Sequence, residues 1–181
     1  VSDDLSPVVA ATAHWLVRAY PSTGGAFAAT LNEVQARQAA TVAAWLRYPT
    51  TTDAGLLALV GPGGSARLDG LLGAEHAELP DEDYGWRTWV DEVVVSWAAC
   101  LLADPGLASA AVAALADSAH FLGYEGAFAR LTNPAPRDLQ AAALLRHPDL
   151  LAPVAELHRD ALLARLAEAT NTDAPNTADA A

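Results

Sequence analysis

Apolar residues recur along this chain at intervals of three and four rather than two, the spacing of helices that each bury one face. Ser6-Pro7 reads as an N-cap followed by a first-turn proline, and the apolar run Val8 to Val17 carries that helix to Tyr20, where Pro21 ends it. Pro21 to Gly25 is a turn by composition. A long helix is predicted over Ala26 to Tyr48, with Phe27, Leu31, Val34, Val42, Trp45 and Leu46 toward a core and Pro49 closing it. Glu33 and Arg37 stand four residues apart on its polar side, in the favourable order for a helical ion pair.

The pattern loosens from Thr50 to Gly85. Leu56 to Val60 and Ser65 to Leu72 read as short helical pieces on either side of Gly61-Pro-Gly-Gly64, and Pro80-Asp-Glu-Asp83 as an acidic loop. The run "LLALVGPGGSARL" has the outline of a strand, a glycine loop and a helix that cradles phosphate, but no lysine follows it, and a turn between two helices is the expected structure.

Periodicity returns at Trp86. On one helix from Trp86 to Ala103, the residues Trp86, Trp89, Val93, Trp97 and Cys100 form a single stripe, widened by Val90, Val94 and Leu101. Arg87 and Asp91, with Glu92 and Ser96, mark the opposite face as polar. The valine-rich "VDEVVVSW" also suits a strand, but its flanks and spacing favour a buried helix. Asp104-Pro105 caps a further helix expected to reach Leu122 and to extend past Gly123 toward Leu131, and its alanine-rich face from Leu107 to Ala119 admits close approach by another helix. Asn133 to Pro136 breaks the pattern. Two more helices follow, Pro136 to Arg146 and Pro148 to Ala169, the second carrying Leu150, Val154, Leu157, Leu162 and Leu166. The expected architecture is all-α: residues 1–169 as one domain of about six to eight helices with an irregular 50–85 segment, and residues 170–181 as a flexible tail.

Composition narrows the functional classes. The chain has 181 residues, 52% hydrophobic and only 18% charged, so much of it must be buried within the domain or between subunits. The longest unbroken apolar stretch, Trp97 to Ala103, is far short of the ~20 residues a membrane span needs, and no membrane association is expected. The acidic opening Val-Ser-Asp-Asp reads as a cytoplasmic protein that has lost its initiator methionine. With 22 acidic against 10 basic residues the formal charge is −12, which opposes binding to nucleic acid. Every basic residue is arginine, which excludes a phosphate-loop lysine, a pyridoxal phosphate Schiff base and a lysine nucleophile. Cys100 is the single cysteine, which excludes internal disulfides and cysteine-rich metal sites.

The candidate chemistry centres on "DSAHFLGYEGAF". Asp117 lies three residues before His120 and Tyr124 four after it, so on a continuous helix the three would share one side. The aspartate would hold the imidazole in one tautomer, His120 would act as base or ligand, and Tyr124 would donate, in a pocket floored by Trp89 or Trp97. Asp117-x-x-His120 is also half of the carboxylate–histidine pattern of di-metal helical bundles; Glu33, Glu92, Glu156 and His158 are the further donors such a centre would draw on, but the second half-motif is missing. No metal and no cofactor is therefore predicted. His14, His76 and His147 fall in no zinc spacing, and Asp81, Glu82 and Asp83 lack the alternation and glycine of a calcium loop. No GxSxG elbow occurs, and Cys100 has no evident histidine partner.

The stretch "LLRHPDLLAPVAEL", Leu144 to Leu157, resembles the His-Pro-containing helices of AhpD-like carboxymuconolactone decarboxylases. The paired cysteines that those peroxidases use are absent, so no residue role follows from the resemblance. The leading expectation is a non-catalytic cytoplasmic protein that works by binding itself or a protein partner through helix faces; the alternative is a small-molecule-binding or enzymatic bundle, with or without a metal, built on Asp117, His120 and Tyr124.

Overall fold

The computed structural model describes residues 4–73, 85–124 and 126–172, and all regular structure among them is helical. Asp4 opens the first helix: its carboxylate accepts from the Ser6 N–H at 2.9 Å and the Ser6 hydroxyl at 2.6 Å. Ser6 is thus the first helical residue rather than the cap. Helix α1 runs over Ser6–Ala19, α2 over Gly25–Arg47, α3 over Thr51–Val60 and α4 over Ala66–Leu71. A 3-10 turn, Gly85–Trp89, leads into α5 at Glu92–Ala103, followed by α6 at Pro105–Ala113, α7 at Ala129–Thr132, α8 at Pro136–Ala141, α9 at Pro148–Ala155 and α10 at Arg159–Thr172. Residues 173–181, most of the expected tail, and the acidic loop from Pro80 to Asp83 lie outside the described residues.

Four stretches expected to be continuous helices are broken, two of them at positions where side chains satisfy the severed backbone. Trp86 to Ala103 breaks at Asp91, whose extended backbone and carboxylate cap α5, accepting from the N–H groups of Val93 and Val94 at 2.8 and 3.2 Å. Trp86 and Trp89 therefore leave the stripe that holds Trp97 and Cys100. The supposed polar face is also buried in part, because Asp91 takes the Tyr48 hydroxyl and Ser96 is sealed in the core. Pro148 to Ala169 breaks after Ala155, where the Ser96 hydroxyl donates to the Ala155 carbonyl at 3.0 Å and accepts from the His158 N–H at 3.0 Å. The third break falls after Ala113, beyond which the described residues as far as Phe128 form turns, and the fourth after Ala141, where the expected helix to Arg146 gives way to turns.

Helix α5 is the centre. Every residue from Val94 to Leu102 is buried, and the helix packs against α2 on one side and α9 on another, while α1 lies along α2. One cluster of buried apolar residues extends from Leu5 to Leu166. Four expected core positions are outside it: Phe27, Leu31, Val34 and Leu150. Phe27 is 68% exposed because the first turn of α2 projects past its neighbours and buries only Ala28 and Leu31, against Ala141; Leu150 is likewise turned outward. Polar Asn32 and Gln35 occupy the buried face of α2 instead. Among the described residues no single helix is long and apolar enough to cross a membrane; α5 and α6 reach that length only together and are bent by 120°.

Arg146 ties the far side of this core. Its Nε donates to Gln35 Oε1 at 2.7 Å, one Nη to the Leu102 carbonyl at 3.2 Å, and the other to the Arg130 carbonyl at 2.5 Å. Gln35 in turn donates to the Asp138 carbonyl at 3.0 Å, so the guanidinium binds α5 and α7, and the amide binds α8, to the middle of α2. Burial pushes its pKa down to about 10 against the help of Asp138, which is the cost of taking a cation out of water.

Arg146→Ala strands three acceptors in the core and is expected to cost about 3 kcal/mol, read as a lower midpoint in urea unfolding. Tyr20 gives a second expectation. Its hydroxyl donates to the Leu150 carbonyl at 3.1 Å and burial pushes its pKa up to about 12. The native state then holds this proton more tightly than the unfolded chain, so the phenol's contribution is whole below pH 10 and is lost as pH rises toward about 12. The stability difference between wild type and Tyr20→Phe should shrink across that window in urea titrations.

Candidate functional site

His120 and Tyr124 sit on the turns that follow α6, and these turns fold back over the C-terminal end of α2. The His120 ring is 3.0 Å through Nε2 from the Tyr48 carbonyl. A carbonyl only accepts, so Nε2 carries the hydrogen and Nδ1 of the neutral ring is left as an acceptor. The ring stacks on Trp45 with centroids 5.9 Å apart, and Tyr124 meets the same indole edge-on at 5.1 Å. Phe128 closes the other side of Trp45, again edge-on, at 5.7 Å. A cleft of about 380 Å³ opens here between the start of α1, the middle of α2 and the turns, and Arg37, Thr41, Asp4 and Ser6 complete its walls.

Asp117 is absent from this cleft. With α6 ending at Ala113, the three-residue spacing to His120 no longer means a shared helical side; Asp117 faces a separate groove of about 360 Å³ between α6 and α10, with Arg165 and Thr170 across from it. The predicted floor is also different. Trp97 lies in the core with its indole N–H donating to the His158 carbonyl at 3.1 Å, and Trp89 belongs to the 3-10 turn before α5. The tryptophan beside His120 is Trp45, and the sequence carried a signal for it: Arg37, Thr41 and Trp45 follow one another at intervals of four on a single face of α2.

The glycine corner has different chemistry from a phosphate cradle. Gly61, Gly63 and Gly64 adopt positive φ, the turn that lets α3 fold back toward α4, and the Gly64 N–H donates to the Val90 carbonyl at 3.0 Å. Beneath the corner lies the buried carboxylate of Asp69, which accepts from the Trp15 indole at 2.9 Å and the Ser65 hydroxyl at 2.8 Å and is paired with Arg87. The neighbouring cavity, about 450 Å³, is therefore lined by an arginine already matched by a carboxylate, an arrangement that disfavours an anion.

Among the described residues no group of three histidine, cysteine, aspartate or glutamate side chains is placed to hold a metal ion. His158 and Glu92 meet at 2.7 Å, but the same glutamate oxygen receives Arg67 at 2.9 Å. Cys100 is sealed in the core, where its thiol donates to the Ala155 carbonyl at 3.3 Å and burial raises its pKa, the condition of an unreactive thiol. His147, the histidine of the stretch resembling AhpD-like proteins, is exposed at the start of α9. His76 and the trio Asp81, Glu82 and Asp83 lie outside the described residues.

The separation of Asp117 from His120 is measurable. His120→Ala, which removes the bond to Tyr48 and the stack on Trp45, should cost about 1 kcal/mol, and Asp117→Ala less than about 0.5 kcal/mol. The double variant should be additive within about 0.5 kcal/mol; a larger coupling energy would restore the aspartate as the partner of the histidine. Comparison with known protein families finds no match to this chain, and neither does comparison with curated proteins or with solved structures.

Proposed function

We propose that this protein works by protein–protein association, with the outer face of α3 as the contact surface and a second copy of the chain as the partner. One observation carries the reading. After its polar first turn, Thr51 to Asp53, helix α3 carries only apolar side chains, yet it buries only Ala54 and Leu57; Leu56, Leu59 and Val60 form a stripe on the opposite side, with Leu59 and Val60 each 84% exposed. A helix apolar on all faces is ordinarily covered on all faces, and a contiguous exposed apolar patch marks a contact site.

The stripe carries no charge, while the chain as a whole bears −12. Copies of such a chain repel one another except where an uncharged patch allows approach, and a helix pairing with its symmetry mate across a two-fold axis matches apolar stripe to apolar stripe. The acidity also weighs against a polyanionic partner. A cytoplasmic location belongs to the same proposal; its support is that the one cysteine is a buried thiol, so folding calls for no oxidising compartment.

Sedimentation equilibrium over a concentration series tests this. The wild type should form a dimer that tightens as salt is raised, because salt screens the net charge and strengthens apolar contact. Leu59→Glu with Val60→Glu should weaken the dimer by at least about tenfold while leaving unchanged the unfolding midpoint measured at concentrations where both proteins are monomeric, since both side chains are already exposed there. A strict monomer at millimolar concentration, or a dimer indifferent to these substitutions, overturns the proposal.

A further inference from the structure

The cleft beside Trp45 combines features that α3 lacks: one aromatic wall and one group of each charge. Trp45 is 9% exposed, and unlike the indoles of Trp15 and Trp97 its N–H meets no acceptor among the described residues. Tyr124 stands edge-on to it and remains half-exposed, while His120 lies parallel beside it. Apolar and aromatic groups thus form one side of the space.

Opposite charges line the same space and each is only partly used. Asp4 accepts both Ser6 hydrogens through Oδ1, so among the described residues its Oδ2 has no partner. Arg37 is engaged through Nη2 alone, by Glu33 at 3.3 Å; both side chains of that pair are more than half exposed, so it is weak and is readily exchanged for another carboxylate. A cleft of about 380 Å³ lies within the range that encloses small organic ligands.

We infer that the cleft formed by Asp4, Arg37, Thr41, Trp45, His120 and Tyr124 binds a zwitterionic amino acid with an aromatic side chain. The ligand carboxylate pairs with Arg37, whose planar fork suits a two-bond contact, the ammonium with Asp4, and the ring with the Trp45–Tyr124 corner. An anionic ligand alone would leave Asp4 facing it, and a cationic one would face Arg37; a zwitterion answers both. This site stands apart from association through α3.

Isothermal titration calorimetry at neutral pH and low salt, with L-phenylalanine, phenethylamine and 3-phenylpropionate as probes, tests the inference. L-phenylalanine should bind, and each single-charge probe should bind at least about tenfold more weakly, the loss expected for one charge-assisted contact. Arg37→Gln should weaken L-phenylalanine and 3-phenylpropionate but not phenethylamine; Asp4→Asn should weaken L-phenylalanine and phenethylamine but not 3-phenylpropionate. Because Arg37 is an exposed surface residue, its variant keeps the test valid even if Asp4→Asn loosens the start of α1. Absence of binding at millimolar L-phenylalanine, equal affinity for the three probes, or an Arg37→Gln variant that binds L-phenylalanine as the wild type does would each overturn it.

Discussion

Short helices that end inside a protein leave backbone carbonyls and N–H groups that must find partners away from water, and this constraint governs the molecule. The starts of α1, α3 and α6, capped by Asp4, Thr50 and Asp104, are exposed, but ends packed against the core have no such access to water. Buried polar side chains take over the task. Arg146 answers the carbonyls of Leu102 and Arg130, Ser96 bridges the gap between α9 and α10, and Asp91 caps α5 while receiving the Tyr48 hydroxyl. Each of these residues also links helices distant in sequence, so the solution to a local problem sets the global arrangement. Gln35 shows the coupling well: one amide binds both Arg146 and the Asp138 carbonyl, and α2 thereby holds two helix ends.

The tryptophans divide into structural and surface roles by what their indole nitrogens meet. Trp15 donates to the buried Asp69 and Trp97 to the His158 carbonyl, so each serves as a bolt as well as a filler. Trp45 packs its body among Phe128, Tyr124 and His120 but has no acceptor among the described residues. Ring contacts hold it in place, and its remaining exposure falls where opposite charges gather. That contrast separates a cleft suited to a ligand from the sealed core a few residues away.

Charge is distributed to a similar end. Each carboxylate buried among the described residues is matched locally: Asp69 by Arg87, Asp91 by the Tyr48 hydroxyl and the N–H groups that it caps, and Asp138 by the Ala135 N–H and Arg130. On the surface, the uncharged apolar stripe of α3 and the opposite charges of Asp4 and Arg37 near Trp45 are features of a different kind.

The amino-acid sequence alone determined the all-helical class, because intervals of three and four between apolar residues recur throughout, and it determined the starts of α6, α8 and α9, because Pro105, Pro136 and Pro148 fix the first turn there. The i,i+4 pair of Glu33 and Arg37 and the sealed, unreactive Cys100 were legible for the same reason: both depend on neighbours within a turn or two. Tertiary structure decided where long periodic stretches break. Periodicity continues unbroken through Asp91 and past Ala155, and nothing local says that Tyr48 will reach the one or Ser96 the other. It also decided the candidate site. Asp117 and His120 share a side only while a helix connects them, and once α6 stops at Ala113 the histidine is placed by the Tyr48 carbonyl and the face of Trp45, groups more than seventy residues away that no local spacing could name.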